Sequence, residues 1–293
     1  SVSAENFKYF FSLMKPRVMS LVLFTCMVGL VIAPTEVDII TAIVSLLAVS
    51  LGAGAAGTLN MWYESDLDAL MSRTCLRPIP IGKVKKNQAL IFGITLSLIS
   101  ISLLYFSSNF ISAFLLFLTI SFYFFIYTVW LKRKTPQNIV IGGAAGALPP
   151  VIGWSIATGN LSAEPMILFL LIFLWTPSHF WALSLYKSED YKKANIPMLP
   201  LISGTDKTKK NIFVYSLLML IPVLSMYYIE MVTLYYFVLS SALTSYYIYL
   251  CYNLNEAKNQ KKSNLLAKKI FTYSIMYLFF LFLFLLIDNI YQI

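Results

Sequence analysis

Long apolar segments occupy most of the chain and are separated by short polar stretches. Because a transmembrane helix needs roughly 20 predominantly apolar residues, we predict nine membrane spans, at about 18–34, 38–59, 88–107, 109–129, 138–158, 164–186, 212–229, 231–252 and 270–287. Only 12% of the residues are charged, compared with ~25% in a typical soluble domain. The sequence therefore predicts an all-α, polytopic membrane protein that forms one domain over residues 1–293.

The basic residues fall on one side of this arrangement. If the N-terminus is cytoplasmic, all 22 Lys and Arg residues lie before span 1 or in the connections after spans 2, 4, 6 and 8. The opposite side contains no basic residue, and its acidic residues are Glu36, Asp38, Glu164, Glu230 and Asp288. The positive-inside rule predicts this orientation. The net charge of +9 is thereby explained by membrane topology, and no nucleic-acid partner is expected.

The most distinctive polar segment, residues 60–80, follows the second predicted span and begins with NMWYESDLD. On a helix, Asn60, Glu64 and Asp68 are at i, i+4 and i+8 and share one face. Asp66 points elsewhere if the helix persists that far. Amide and carboxylate oxygens are the ligands that Mg²⁺ prefers, so the face indicates a Mg²⁺ site. The alternative is an ordinary solvated loop, because acidic helix ends are common.

Basic side chains close to this motif can serve an anionic ligand. Arg73 and Arg77 end the motif, and Lys132, Arg133 and Lys134 follow span 4. Guanidinium groups form paired hydrogen bonds to phosphate oxygens, so these residues can hold a diphosphate beside Mg²⁺. The default interpretation of the lysine-rich loop is that it anchors the chain on the cytoplasmic side.

Span 6 contains the single histidine of the chain, His179, close to Pro177. The proline is expected to loosen or kink the helix there. Neutral imidazole is a common metal ligand, including for haem iron, and the alternative is a structural hydrogen bond. Glu189 and Asp190 follow where the span ends. They could provide carboxylates for a second metal ion or belong to a solvated loop.

Small residues form two stretches within predicted spans, GAGAAG at 52–57 and GGAAGALPP at 142–150. In lipid, small residues let helices pack closely. The competing interpretation is that they leave room for a flat or long apolar ligand.

With these residues in view, the chain resembles the intramembrane prenyltransferases of the UbiA superfamily. The first Asp-rich motif of that superfamily has Asn followed by acidic residues four and eight positions later, as in Asn60, Glu64 and Asp68. Glu64 departs from the usual Asp. The following RTxxRPxP stretch, with Arg73 and Arg77, also fits.

The second motif of the superfamily, DxxxAxxD, is only partly present. Asp190 and Ala194 match it, but Pro197 occupies the place of the second aspartate. This departs from the quinone-type enzymes and resembles the haem-farnesylating branch. Further stretches similar to that branch are WTPxHFWAL around His179, TPxNIVIGGAAGALPP at 135–150 and DYxxANIPMLP at 190–200.

The resemblance implies a single prenyltransferase domain with a UbiA-type helix bundle, located in the bacterial cytoplasmic membrane with its active site near the cytoplasmic face. It implies Mg²⁺-dependent transfer of a farnesyl group from farnesyl diphosphate to a vinyl group of protohaem IX, with addition of water, to give haem O. A haem A synthase or terminal-oxidase assembly proteins are the protein partners it suggests. The implied roles are Mg²⁺ binding and catalysis by Asn60, Glu64, Asp68 and Asp190, diphosphate binding by Arg73, Arg77, Lys132 and Arg133, and haem binding by His179.

Three alternatives belong to other classes. A quinone-precursor prenyltransferase should carry the missing second aspartate, and a non-catalytic haem-binding assembly factor would need His179 but not the acidic motif. A secondary transporter would have polar residues at mid-membrane, whereas the carboxylates here cluster at one face. Metal-dependent release of diphosphate separates the enzymes from the other two classes, and the choice of acceptor separates the enzymes from each other.

Overall fold

The protein is all-helical, as the sequence predicted. A computed structural model describes residues 2–292, which form fifteen α-helices and one π-helix. The α-helices are α1 Val2–Leu13, α2 Pro16–Val31, α3 Ile39–Tyr63, α4 Ser65–Leu70, α5 Lys86–Ser107, α6 Phe110–Ser121, α7 Asn138–Ala147, α8 Pro149–Thr158, α9 Ala163–Tyr186, α10 Ser188–Lys193, α11 Leu199–Ser203, α12 Thr205–Leu218, α13 Leu220–Tyr228, α14 Leu234–Asn255 and α15 Gln260–Gln292. The π-helix is Phe122–Leu131 and follows α6 directly.

Several of these helices are long and apolar enough to cross a membrane. Seven segments within the described residues meet that requirement, and an eighth is added if α1 and α2, bent by 51° at their junction, form one span. Helix α14 occupies the position of the predicted span 231–252 and is 22 residues long, but it is not among the segments that qualify. The multi-pass prediction is confirmed, whereas the count of nine spans and the cytoplasmic N-terminus stay predictions.

The chain divides into two compact units, and the organisation as one domain stays a prediction. The first unit comprises Ser1–Lys134, Leu148–Leu161 and Lys193–Ile196. Within it α3 packs against α5, and α2 packs against α8. The small residues of α3 lie in this packing, since a Cβ added at Gly54 would be 2.6 Å from the Met14 side chain. The stretch GAGAAG at 52–57 therefore provides close packing rather than open space for a ligand.

The second unit comprises Thr135–Ala147, Ser162–Lys192 and Pro197–Ile293. Helix α9 is central to it and packs against α7, α12 and α15. A Cβ added at Gly143 in α7 would be 3.0 Å from the Thr176 side chain in α9, so small residues again permit close contact. Helix α9 continues unbroken past Pro177, where the sequence had predicted a loosened or kinked helix. The side chain of Trp181 in α9 is buried, with an exposed fraction of 1%.

Candidate active site

The acidic motif lies at a break between two helices of the first unit. Helix α3 ends at Tyr63, Glu64 has non-helical dihedral angles (φ −92°, ψ 10°), and α4 begins at the next residue. The i, i+4 spacing nevertheless survives, because the N–H of Glu64 donates to the carbonyl of Asn60 (3.0 Å) and the N–H of Asp68 donates to that of Glu64 (2.8 Å). All three predicted ligands are buried, with exposed fractions of 2%, 1% and 1%. The predicted shared face is therefore present.

Each buried carboxylate of the motif is paired with a basic side chain. Lys132 Nζ lies 2.5 Å from Glu64 Oε2, and Arg77 Nη1 donates to both carboxylate oxygens of Asp68 at 2.7 Å. Burying an uncompensated carboxylate costs several kcal/mol (on the order of 3–5 when one partner of a buried pair is removed). The predicted diphosphate ligands Arg77 and Lys132 thus neutralise the predicted metal ligands directly.

Asn60 has two polar partners that sequence reasoning did not assign. Its side-chain Oδ1 accepts a hydrogen bond from Lys15 Nζ (2.5 Å), and its Nδ2 donates to Thr128 Oγ1 (3.1 Å). Lys15 joins α1 to α2 and has a left-handed backbone (φ 54°, ψ 59°) directly before Pro16. This conformation is unfavourable for a residue that precedes proline and marks a position held by its surroundings. The only sequence signal that could have identified Lys15 is its position directly before the proline at the start of the first apolar segment.

The π-helix Phe122–Leu131 leads into the residues of the fourth span that reach the motif. At its end the N–H of Lys132 donates to the carbonyl of Tyr127 five residues earlier (2.9 Å), and such i→i+5 backbone bonding is rare and often found at functional sites. The side chain of Thr128 donates from Oγ1 to the carbonyl of Tyr123 (2.9 Å). Thr128 and Lys132 are four residues apart and contact Asn60 and Glu64, respectively.

The exposed part of the motif forms a separate ion pair. Arg133 Nη1 and Nη2 donate to the two carboxylate oxygens of Asp66 at 3.0 and 2.9 Å, and the guanidinium lies over the Tyr63 ring, 5.0 Å from its centroid. Partial burial by itself would raise the pKa of Asp66, but the Arg133 hydrogen bonds and charge outweigh this, so the pKa is lowered. The hydrogen bond to Asp66 raises the pKa of Arg133. Asp66 points away from the buried face, as predicted.

The donor chemistry of the buried face fits the predicted Mg²⁺. Glu64 Oε1 is buried and has no hydrogen-bond partner among the described residues, which leaves one carboxylate oxygen available to a hard cation. The oxygens of Asp68 are both engaged by Arg77. Among the side chains that the structure describes, those of residues 6–291, no three His, Cys, Asp or Glu are grouped closely enough to hold a metal ion. The structure therefore brings acidic groups together with basic groups rather than with one another.

Two other predicted site residues, Arg73 and Asp190, differ in their burial. Arg73 is exposed and makes no hydrogen bond or ion pair within the described part of the chain. Asp190 belongs to the second unit. It is half-buried in the short helix α10, and its N–H donates to the carbonyl of Lys187 (3.2 Å). Its neighbour Glu189 is exposed.

His179 lies in α9, in the second unit, and is held on several sides. Its ring stacks on Trp175 (centroids 4.3 Å apart, 18° between planes) and on Phe271 of α15 (4.6 Å, 22°). Its Nδ1 is 2.6 Å from Ser274 Oγ, also in α15. Sequence reasoning found the histidine but neither α15 residue, because nothing in the sequence pairs positions 95 apart.

This fold and its charged motif define a multi-pass membrane protein with buried groups suited to a metal-bound polyanion. The chain belongs to the UbiA prenyltransferase family, since the model of that family matches residues 22–286.

Its relatives share almost its whole length. The chain is 64% identical, over 99% of its length and 95% of the relative, to a protein named protoheme IX farnesyltransferase from Pelagibacter ubique (strain HTCC1062). It is 47% identical, over 98% and 91%, to a protein of the same name from Agrobacterium fabrum (strain C58 / ATCC 33970).

Solved structures share the fold. One from a study of digeranylgeranylglyceryl phosphate synthase has a TM-score of 0.81 at 20% identity and covers 98% of this chain and 99% of its own. A UbiA homologue from Archaeoglobus fulgidus, bound to DMAPP and Mg²⁺, has a TM-score of 0.66 at 15% identity and covers 92% and 99%.

Proposed function

We propose that this prenyltransferase transfers a farnesyl group from farnesyl diphosphate to a vinyl group of protohaem IX, with addition of water, to give haem O and diphosphate. The geometry of the acidic and basic groups suits a prenyl diphosphate but does not select an acceptor. The near-complete alignment at 64% identity to a protein named protoheme IX farnesyltransferase is the observation that carries the choice of haem. A quinone precursor is disfavoured by Pro197, which replaces the second aspartate.

The basic side chains would hold the diphosphate. We assign phosphate contact to Lys132 and Arg77, which already lie at the buried carboxylates, with Arg73 and Arg133 as outer contacts. When a diphosphate takes over these hydrogen bonds, Glu64 and Asp68 become available to metal. The same side chains then stabilise the negative charge that develops as the bond between farnesyl C1 and oxygen breaks.

Asn60, Glu64 and Asp68 would hold Mg²⁺, and Asp190 is proposed as a ligand of a second ion. Bound Mg²⁺ supplies Lewis-acid stabilisation of the leaving diphosphate. The unpartnered Glu64 Oε1 supports this assignment. The side-chain oxygens of Asn60, Glu64 and Asp68 are also the type of ligand that Mg²⁺ prefers.

The acceptor step needs no nucleophilic side chain. The electron pair of the haem vinyl group forms the new bond to farnesyl C1, and diphosphate leaves with the electrons of the broken C–O bond. Water adds to the resulting haem cation and releases a proton, which leaves a hydroxyethylfarnesyl group. His179 is the proposed haem contact of this chain. The aromatic side chains that surround it (Trp175, Phe180 and Phe271) provide an apolar surface for a porphyrin.

The distribution of basic residues supports a location in the bacterial cytoplasmic membrane, with the acidic motif near the cytoplasmic face. The product, a farnesylated haem, is an apolar molecule that stays in the membrane. A haem A synthase or a terminal-oxidase assembly protein is therefore the class of partner that we propose receives it.

The test is an assay in membranes that contain the protein, with protohaem, farnesyl diphosphate and Mg²⁺, analysed by mass spectrometry. We expect a haem product heavier by a hydroxyfarnesyl unit, which is absent with Asp68→Ala and with EDTA. Prenylation of 4-hydroxybenzoate or a naphthoate in place of haem would overturn the acceptor assignment and keep the prenyltransferase. If well-folded protein prenylates no acceptor, a non-catalytic haem-binding role replaces the proposal.

A further inference from the structure

The imidazole of His179 is fixed in orientation by its neighbours. Trp175 covers one face at 4.3 Å, Phe271 covers another at 4.6 Å, and both are nearly parallel to the ring. Phe180 packs nearly perpendicular to the ring at 5.1 Å, and the residue is 7% exposed. With both faces stacked, the nitrogens at the ring edge are the atoms that a ligand can reach.

The hydrogen bonds of Ser274 favour a proton on Nδ1 of His179. A serine hydroxyl has one hydrogen, and the geometry of Ser274 Oγ allows it to donate this hydrogen to the carbonyl of Phe271 at 2.7 Å. In that arrangement the contact of 2.6 Å between Ser274 Oγ and His179 Nδ1 is donated by the imidazole. A neutral imidazole has one N–H, so the proton is on Nδ1 and Nε2 keeps its lone pair.

The opposite tautomer is disfavoured by the same bonds. If Ser274 donated to Nδ1, it would give up its hydrogen bond to the Phe271 carbonyl, and the proton of the imidazole would be on Nε2, which has no hydrogen-bond partner within the described residues. When Nδ1–H donates to Ser274 Oγ and Ser274 donates to the Phe271 carbonyl, the ring has no unpaired donor.

This arrangement is the one that metal-binding histidines use. Such a histidine donates its second ring N–H to a neighbouring acceptor, which fixes the tautomer and raises the basicity of the ligating nitrogen. We propose that Ser274 is a positioning residue that holds His179 in the Nδ1–H tautomer, so that Nε2 ligates the iron of protohaem. The inference rests on the proposed function, since it takes the haem acceptor as its ligand.

The experiment uses full-length protein in lipid nanodiscs, titrated with protohaem in the absence of farnesyl diphosphate. Resonance Raman spectra of the ferrous complex report the iron–histidine stretching band, whose frequency depends on the hydrogen bond from Nδ1. We expect the wild-type protein to show this band. His179→Ala should lose it and regain an imidazole-ligated spectrum when free imidazole is added.

Substitution of the serine tests its positioning role. With Ser274→Ala we expect the iron–histidine band at lower frequency and a haem affinity about 10-fold weaker, as for loss of other outer hydrogen bonds to metal ligands. Ser274→Thr, which keeps the hydroxyl, should restore the wild-type frequency. Ser240→Ala is the matched control, because Ser240 is equally buried and donates to its own helix at Phe237 without contact to His179.

The outcomes separate the two proposals. An iron–histidine band that persists in His179→Ala overturns the ligation. Ser274→Ala with the frequency and affinity of Ser240→Ala overturns the positioning role. A wild-type protein that shows His179 ligation but forms no farnesylated haem with Mg²⁺ and farnesyl diphosphate overturns the proposed function and supports the ligation inference.

Discussion

The two polar regions of this membrane protein differ in how they make buried polar groups tolerable. The acidic motif of the first unit uses charge: Glu64 and Asp68 are held by Lys132 and Arg77 in ion pairs. The region around His179 in the second unit uses neutral hydrogen bonds and aromatic stacking. A charged side chain in an ion pair can exchange its partner for another ion, whereas a stacked and hydrogen-bonded ring keeps one orientation.

That difference agrees with the different roles that the proposed function gives to the two regions. Groups that exchange partners suit a metal–diphosphate complex that must bind and then leave. A ring that keeps its orientation suits a rigid planar acceptor. The predictions that follow separate the two regions by perturbing one of them at a time.

Removal of divalent metal should produce the largest effect and act on the charged region alone. With EDTA we expect no detectable haem product, because the developing charge on diphosphate loses its Lewis acid, and full activity after Mg²⁺ is added back. Haem binding, measured from absorption spectra in the same sample, should not change. Activity that survives EDTA would contradict a metal role for Asn60, Glu64 and Asp68.

Neutralising one buried carboxylate should come next. Asp68→Asn should lower kcat by about 10²- to 10³-fold, the size expected when one transition-state contact is lost. Its matched control is Asp66→Asn, in the same short helix but half-exposed (54%) and paired with Arg133, where we expect little change. Initial rates of haem product at saturating substrates provide the test. If both variants lose kcat equally, the buried Asp68 has no catalytic role that the exposed Asp66 lacks.

Loss of the lysine beside Glu64 should weaken both substrate binding and stabilisation of the leaving diphosphate. Lys132→Met is expected to lower kcat/KM for farnesyl diphosphate about 10-fold or more, since a hydrogen bond to a charged group contributes ~1.5–3 kcal/mol. Lys132→Arg keeps the charge and should lose less. Lys134→Met, two residues away and exposed, is the control. If both lysines behave alike, they act as membrane-surface anchors.

Lys15 offers a test of a contact that the sequence did not reveal. Lys15→Met should raise KM for farnesyl diphosphate by up to about 10-fold, because Asn60 Oδ1 loses the hydrogen bond from Lys15 Nζ and a hydrogen bond contributes ~0.5–1.5 kcal/mol. Arg17→Met, exposed in α2, serves as the comparison. The same steady-state assay applies, and unchanged kinetics for Lys15→Met would limit this residue to a structural role at the bend between α1 and α2.

The smallest effect is expected at the exposed pair. Arg133→Gln should change KM by about 5-fold or less, because ion pairs exposed to solvent contribute at most ~1 kcal/mol. Rates at 0.05 and 0.5 M salt (about 14 and 4 Å of screening length) provide a second measurement, and we expect the variant to be less sensitive to salt than the wild-type protein. A loss as large as that of Lys132→Met would place Arg133 among the principal diphosphate ligands.

Much of the fold follows from local sequence. The apolar segments predict the helices, because a chain in lipid must satisfy its backbone hydrogen bonds within each segment. Two predicted spans differ in the count: α2 qualifies only together with α1, and α14, at the predicted span 231–252, is not among the segments that qualify. The spacing of Asn60, Glu64 and Asp68 predicts their shared face, because helical periodicity is a local property that persisted through the break at Glu64.

The partners of those residues could not be predicted in the same way. Lys15 reaches Asn60 across 45 positions, Lys132 reaches Glu64 across 68, and Ser274 reaches His179 across 95. The π-helix that contains Thr128 and ends just before Lys132 has no marker in the apolar stretch FYFFIYTVWL. By itself, the sequence determined which segments are helical and which residue types can bind metal, diphosphate and haem. Only the tertiary structure decided which of these groups meet, because contacts between distant residues depend on how whole helices pack.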